Sequence, residues 1–363
     1  MNKRIAMLPG DGIGPEVMEA SVPLMYNVAS ARGHKVVCEG GLVGFAAYDV
    51  YRDVMPDKTW DLCRRSSGIL FGAVGLPQRD AELPPDMRPE RRALLPIRKA
   101  FGLSINIRPV RIYPGMEAIS PLKERVLEGG VHLTFFRELT GGDYFGRKTA
   151  DELGTWAEDV CRYERGQIVA IARAAFKMAE ETGESVTSID KANVLGATGT
   201  YWRNIVQAIH DAEFPEVKLE HVYVDAFCLY MITRPTKYSI VLCSNLQGDI
   251  LSDGGAGIAG SMGLLASASL NPATGYAMYE PAGGSAPDIA GLGIANPIAM
   301  VLSIAMLFRH TYQDGVAANA IERAVAETLR EGYRTKDIAT SAGERVLSTG
   351  EMVQAIRDNI TFP

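Results

Sequence analysis

Lys3-Arg4-Ile5-Ala6-Met7-Leu8, followed by Pro9-Gly10-Asp11-Gly12-Ile13-Gly14-Pro15-Glu16 and the periodic stretch Val17 to Ala31, is the passage on which the fold turns. The apolar run reads as a strand and the glycine cluster as a tight turn. The periodic stretch reads as a helix, with Pro15 at its first position and Glu16 complementing the positive end of its dipole. Further strand-like segments are Lys35 to Glu39, Gly68 to Val74, Val131 to Phe136, Ser188 to Val194, Leu219 to Val224 and Ser239 to Cys243, with helical patterns at Tyr163 to Glu181 and Thr200 to Asp211. Strands alternating with helices predict the α/β class with a mixed, largely parallel sheet. Pro77 to Arg92 reads as a long surface loop. From Asn296 the chain reads as helical, with Asn296 capping, Pro297 opening and Ile321 to Leu329 continuing the pattern.

The chain has 363 residues, well beyond the roughly 150-residue domain prior, so two domains or one large unit are expected. No Gly/Ser linker divides it, which predicts a second domain inserted within the first. Hydrophobic residues make up 47% and charged residues 22%, enough apolar material for a core. With 37 basic and 43 acidic residues the net charge is −6, and a nucleic-acid partner is not expected. The cysteines Cys38, Cys63, Cys161, Cys228 and Cys243 form no C-x-x-C pair, which fits a reducing cytoplasm better than a disulfide framework or zinc site. The apolar N-terminal run breaks at Pro9-Gly10, too early for a signal peptide. Pro297 to Phe308 falls short of the roughly 18 residues of a membrane span and reads as a buried helix, so no membrane partner is expected.

A dinucleotide fingerprint, Gly255-Ala256-Gly257-Ile258-Ala259-Gly260, lacks the strand that must precede it, and Gly10, Gly12 and Gly14 have the wrong spacing. A Rossmann site is therefore not expected. Asp249 and Asp253 are four apart, on one helical face: either a solvated acidic face with Asp249 as a cap, or a site for Mg²⁺ or Mn²⁺, which take oxygen ligands. Arg98, Arg108 and Arg137 sit in apolar or glycine-rich settings, as structural ion pairs or as a pocket for carboxylates, whose geometry the guanidinium fork matches. Lys191 is a candidate for burial and proton relay, or a surface lysine; Tyr144 is a proton donor or a loop aromatic.

Taken in order, the segments Gly10 to Glu16, Leu94 to Lys99, Asn106 to Pro109, Arg137 to Gly142 with Tyr144-Phe145-Gly146, Asp190 to Leu195, Val224-Asp225-Ala226, Gly248 to Asp253 and Gly284 to Gly291 resemble the β-decarboxylating dehydrogenases, the isocitrate/isopropylmalate dehydrogenase family, over nearly the whole chain. The resemblance implies a two-domain α/β fold that is not Rossmann. Its first domain, 1–103 and 260–363, would bind cofactor; its second, 104–259, would be inserted and serve dimerisation, substrate and metal. The implied reaction is NAD-dependent oxidation and metal-assisted β-decarboxylation of 3-isopropylmalate to 2-oxo-4-methylpentanoate, a step of leucine biosynthesis, in a cytoplasmic homodimer with shared active sites.

Carried over by position, Arg98, Arg108 and Arg137 would grip the malate carboxylates, with Leu94, Leu95, Val194 and Asp225 also at the substrate. Asp225, Asp249 and Asp253 would hold the metal. Tyr144, Lys191 and Asp225 would be catalytic, Lys191 and Asp225 reaching the site from the partner. The cofactor set would be Ile13, Asn193, Glu280, Gly284, Ser285, Ala286, Pro287, Asp288, Ile289 and Asn296, with Asp288-Ile289 favouring NAD over NADP. The apolar Leu94 and Leu95 favour an apolar substituent. Arg91 and Arg92, Glu90 shifted by about one position, Gly283 where the family normally has His, and Ser244 are departures. They leave open the same chemistry on isocitrate, homoisocitrate, tartrate or D-malate; a non-catalytic regulatory subunit is a further alternative.

Overall fold

The opening strand runs Asn2–Gly10 and its glycine turn delivers the chain into the helix Gly14–Ala31, in the computed structural model that describes residues 1–363. The turn needs glycine for a specific reason. Gly12 has φ +58°, and a Cβ there would lie 1.9 Å from the Ser285 carbonyl oxygen. That close approach lets the Ile13 N–H donate to the same carbonyl at 2.8 Å. Glu16 does more than face the helix dipole: its carboxylate accepts the N–H groups of Gly291, Gly293 and Ala295 and the Thr349 hydroxyl, holding a distant loop against the first helical turn.

Two compact units are present, one made of Met1–Phe101, Tyr113–Ile119 and Gly260–Pro363, the other of Gly102–Ile112 and Ser120–Ala259. In the first, the strands lie in the order Lys35–Gly40, Asn2–Gly10, Gly68–Ala73, Ala277–Pro281, Ala266–Leu270; all neighbours are parallel except the last pair. Gly68–Ala73 is buried along its whole length, as a central parallel strand covered on both faces must be. Ile298–His310 is the buried helix its sequence predicts, with every residue from Ile298 to Phe308 buried. The Asn296 side chain accepts the Ile298 N–H at 3.0 Å.

In the second unit the order is Ile105–Arg111, His132–Glu138, Ile240–Cys243, Val186–Asp190, Leu219–Tyr223, antiparallel for the first pair and parallel thereafter. The helices Arg165–Thr182 and Thr198–Glu213 pack on one another, and the helix Asn245–Ala259 lies against the antiparallel pair. The class is α/β with mixed, largely parallel sheets. Gly255 and Gly257 fall inside Asn245–Ala259 and not in a strand-to-helix turn, so the fingerprint there has no phosphate-binding geometry.

Two sequence expectations need correction. The strand expected over Ser188 to Val194 is Val186–Asp190, because the N–H groups of Val194 and Leu195 both fold back onto the Lys191 carbonyl and the Asp190 carboxylate accepts the Ala192 N–H. Pro77 to Arg92 is not loop throughout. It forms 3₁₀ turns at Pro77–Glu82 and Pro85–Met87, then a π-helical turn, Glu90–Leu94, that runs straight into the helix Leu95–Ala100. No helix is long and apolar enough to cross a membrane.

Asp314 ties the first unit together. Its buried carboxylate accepts the Ala317 N–H at the start of the helix Gly315–Arg330 and pairs with Arg32 at 2.9 Å and His34 at 2.8 Å. Burial alone would raise this carboxyl, but Arg32, the Ala317 N–H and His34 outweigh it and hold it far below the usual range. A depressed carboxyl contributes stability above the unfolded value of about 3.9, lost as pH falls through the folded value. Asp314→Asn is expected to lower stability at pH 7 by about 1–3 kcal/mol in urea unfolding, with the gap to wild type closing below about pH 4. Equal urea midpoints at pH 7 would show that the cluster is not a tie.

Candidate active site

The antiparallel pair builds the site in the second unit. Asn106 stands opposite Arg137 in the register, and Arg108, two residues on, shares the same sheet face. Across that face runs Asn245–Ala259, brought in close by glycine: a Cβ on Gly248 would lie 2.8 Å from the Arg137 Cβ, and one on Gly255 would lie 3.1 Å from the Phe135 ring. The helix therefore sets Asp249 and Asp253, one turn apart, over two arginines.

Both guanidiniums are almost fully buried, Arg137 with 1% of its side chain exposed. Arg108 donates to Asn106 at 3.0 Å, to the Ser252 hydroxyl at 2.9 Å and to Asp253 at 3.0 Å, with Asp249 at 3.4 Å. Arg137 gives Nε and Nη2 to the Asn245 side-chain oxygen, at 3.0 and 2.8 Å, and Nη1 to Asp249. The repulsion of two carboxylates at this spacing is thus relieved by cations between them, and Asp249 is no helix cap. Partial desolvation, with the Asp249 charge adding to it, raises the Asp253 carboxyl despite Arg108 and Arg137. Tyr144 ends the 3₁₀ turn Gly142–Tyr144 and donates its hydroxyl to the other Asp249 oxygen at 2.6 Å, its ring 5.4 Å from the Arg137 guanidinium carbon.

Elsewhere in the same unit, Lys191 sits just past the strand Val186–Asp190 and pairs at 2.6 Å with Asp225, in the first turn of the helix Val224–Thr233. The Lys191 ammonium lowers the Asp225 carboxyl, which is 66% exposed. Lys191 is thus a partly buried, ion-paired lysine, between the buried and the surface settings that its sequence leaves open. Asn193 and Val194 lie after it on an exposed turn. No three of the chain's His, Cys, Asp or Glu side chains cluster so as to hold a metal ion, so Asp225 does not join Asp249 and Asp253 within one chain.

In the first unit, Arg98 and Glu280 form a buried ion pair at 3.1 Å, leaving the Arg98 Nε buried without a partner. Leu94 and Leu95 are half-buried where the π turn meets the helix of Arg98. A cavity of about 200 Å³ is lined by Ile13, Gly284, Ala286, Ile289 and Asn296 of the expected cofactor set. Ser285, Pro287, Asp288 and Glu280 do not line it, Ser285 being spent on the Gly75 carbonyl and Asp288 facing solvent. At Gly283 a Cβ would meet only Met262 at 3.7 Å, so that wall has room for a side chain.

Sequence reasoning missed Asn245, Ser252 and Asp337. Asn245 had a usable signal, a polar residue at the junction of a buried strand and a helix. Asp337 had none: it lines the cavity by accepting from Asn296, Ser261 and Thr335, residues scattered along the chain.

Comparison with known proteins gives the family. The family model described as isocitrate/isopropylmalate dehydrogenase matches residues 4–356. A 3-isopropylmalate dehydrogenase of Pseudoalteromonas translucida is 46% identical over 357 residues, 98% of each chain. That of Escherichia coli K12 is 47% identical over 354 residues, 97% of this chain and 96% of the other. Among solved structures, an isocitrate dehydrogenase from Methylococcus capsulatus superposes with a TM-score of 0.85 at 31% identity, covering 99% of both chains. Likeness that runs end to end in both sequence and structure places this chain in the isocitrate/isopropylmalate dehydrogenase family.

Proposed function

We propose that this chain is an NAD-dependent decarboxylating dehydrogenase that converts 3-isopropylmalate to 2-oxo-4-methylpentanoate in leucine biosynthesis. The observation that carries the reading is the pair of buried guanidiniums, Arg108 and Arg137, faced by two carboxylates and a phenol. Such an arrangement suits a dicarboxylate arriving with a divalent cation. The cation would neutralise Asp249 and Asp253, and the substrate's carboxylates would inherit the arginines. The resemblance would add Arg98 as a further guanidinium for the substrate, and Leu94 and Leu95 as apolar side chains for the isopropyl group.

Asp249 and Asp253 offer hard oxygen donors from one helix face, which fits Mg²⁺ or Mn²⁺; Asp225 of a second copy would complete the set. Such an ion supplies Lewis-acid polarisation of the substrate's hydroxyl and carbonyl oxygens. Lys191, brought by the second copy with Asp225, would relay the hydroxyl proton as the substrate is oxidised, its ammonium giving up a proton to solvent and then receiving the hydroxyl's. Tyr144 would deliver its phenolic proton to the carbon that loses CO₂. The apolar side chains left exposed on the two neighbouring helices Val224–Thr233 and Asn245–Ala259 of the second unit, Leu229, Ile232, Leu246 and Ile250, support a homodimer through those helices.

For the cofactor, a cavity walled by Ile13, Ile289 and glycine backbone suits a flat adenine ring. Asn193, Glu280, Gly284, Ser285, Ala286, Pro287 and Asn296 complete the assigned set, and Asp288 would disfavour a 2′-phosphate. The division of labour assigns the cofactor to the domain 1–103 and 260–363, and substrate, metal and dimerisation to 104–259. Five free thiols fit a cytoplasmic enzyme.

Absorbance assays with a panel of substituted malates should give NADH fastest with 3-isopropylmalate, NAD⁺ and Mg²⁺, and none after chelation by EDTA. Preference for a tricarboxylate would overturn the argument from Leu94 and Leu95, and inactivity with every substrate would favour a regulatory subunit. Tyr144→Phe should lower turnover by about 10²–10⁴-fold while leaving Mg²⁺ affinity near wild type; unchanged turnover would remove it from the mechanism. The double variant Leu229→Glu/Ile232→Glu should sediment as a monomer and be inactive. A fully active monomer would refute shared sites.

A further inference from the structure

We infer that Asn245 is the positioning residue that fixes Arg137 and the Tyr144 turn relative to one another. The inference rests on the roles assigned above to Arg137 and Tyr144. Asn245 is wholly inaccessible, 0% exposed, and both ends of its amide are engaged. Its side-chain oxygen accepts two hydrogen bonds from Arg137, at 3.0 and 2.8 Å. Its side-chain nitrogen donates to the Gly141 carbonyl at 2.9 Å, and its backbone N–H donates to the Tyr163 hydroxyl at 2.9 Å.

Those contacts have different destinations. The acceptor side turns Nε and Nη2 of Arg137 inward, so that Nη1 is the edge left to Asp249. The donor side anchors the Gly141-Gly142 turn, three residues before Tyr144. Tyr163 presses on the turn from the other side: a Cβ on Gly142, where φ is +72°, would lie 2.2 Å from the Tyr163 hydroxyl. Only a group with an acceptor and a donor on one planar head can serve both, which an amide does and a carboxylate or alkyl group cannot.

Isosteric substitution separates the two halves. Asn245→Asp keeps the acceptor for Arg137 but faces the Gly141 carbonyl with a second acceptor, freeing the Tyr144 turn. Its expected signature with 3-isopropylmalate is a KM within about threefold of wild type and a kcat lower by about 10- to 100-fold. In D₂O it should also lose facial selectivity of deuterium delivery to the product carbon, as the enol left by CO₂ loss takes its proton from solvent and not from Tyr144. Asn245→Ala, losing both halves, should raise KM as well. Tyr163→Phe, which removes only the hydroxyl beneath the turn, should reproduce the Asn245→Asp split in a milder form, and serves if Asn245→Asp does not fold.

Variants whose KM and facial selectivity of deuterium delivery match wild type, with activity reduced only in proportion to folded protein, would show Asn245 to be a structural residue and overturn the inference. A wild-type enzyme that forms no NADH with 3-isopropylmalate would instead sink the proposed function, and this inference with it.

Discussion

The second unit is organised around one costly act, the burial of the Arg137 guanidinium. A charge of this kind, taken out of water without partners, carries a penalty of several kcal/mol. Here Nε, Nη1 and Nη2 are all answered, by the Asn245 amide oxygen and by Asp249. Those answers impose conditions on the rest of the chain. The helix Asn245–Ala259 must pass within van der Waals reach of the strand, which requires glycine at 248 and 255. The turn that carries Tyr144 must close over the same amide. Asp249 must keep its place on the helix, because it is the partner of the arginine's third edge.

The electrostatics obey the same constraint. A chain with net charge −6 repels dicarboxylates in bulk, yet the pocket presents two guanidiniums whose present partners are carboxylates of the chain itself. An incoming anion gains little unless something cationic takes those carboxylates over. On the proposed function, the site is neutral at rest and exchanges partners on loading, so that substrate and cation favour one another's binding. On the same reading the Lys191–Asp225 pair would follow this logic elsewhere in the unit, each masking the other.

Much of this was legible in the sequence, and the rest was hidden for identifiable reasons. The alternation of strands and helices, the buried helix Ile298–His310 and the false dinucleotide fingerprint could be read from periodicity and local order. Arg108, Arg137, Tyr144, Asp249 and Asp253 stand out in the motifs and lie together in the structure. The pairing of Arg98 with Glu280 was not legible, since 182 positions separate them and only the fold sets their distance. The setting of Lys191 stayed open between burial and the surface, since the Asp190 carboxylate that turns the backbone there acts through the fold. Asn245 escaped because an amide acts through the geometry of both its ends, and sequence displays only its presence.

The π turn at Glu90–Leu94 carries a consequence for how such chains change length. Its closing hydrogen bond, from the Leu95 N–H to the Glu90 carbonyl, spans five residues where an α-helix spans four. One extra residue is thereby stored as a wider coil instead of a displaced segment. The Glu90 carboxylate is still delivered against Gly75, where a Cβ would lie 2.2 Å from its oxygen, and Arg98 still reaches Glu280. Insertions and deletions ahead of the first arginine can be absorbed at this coil, leaving the anchors on either side in register while the intervening side chains rotate to new faces.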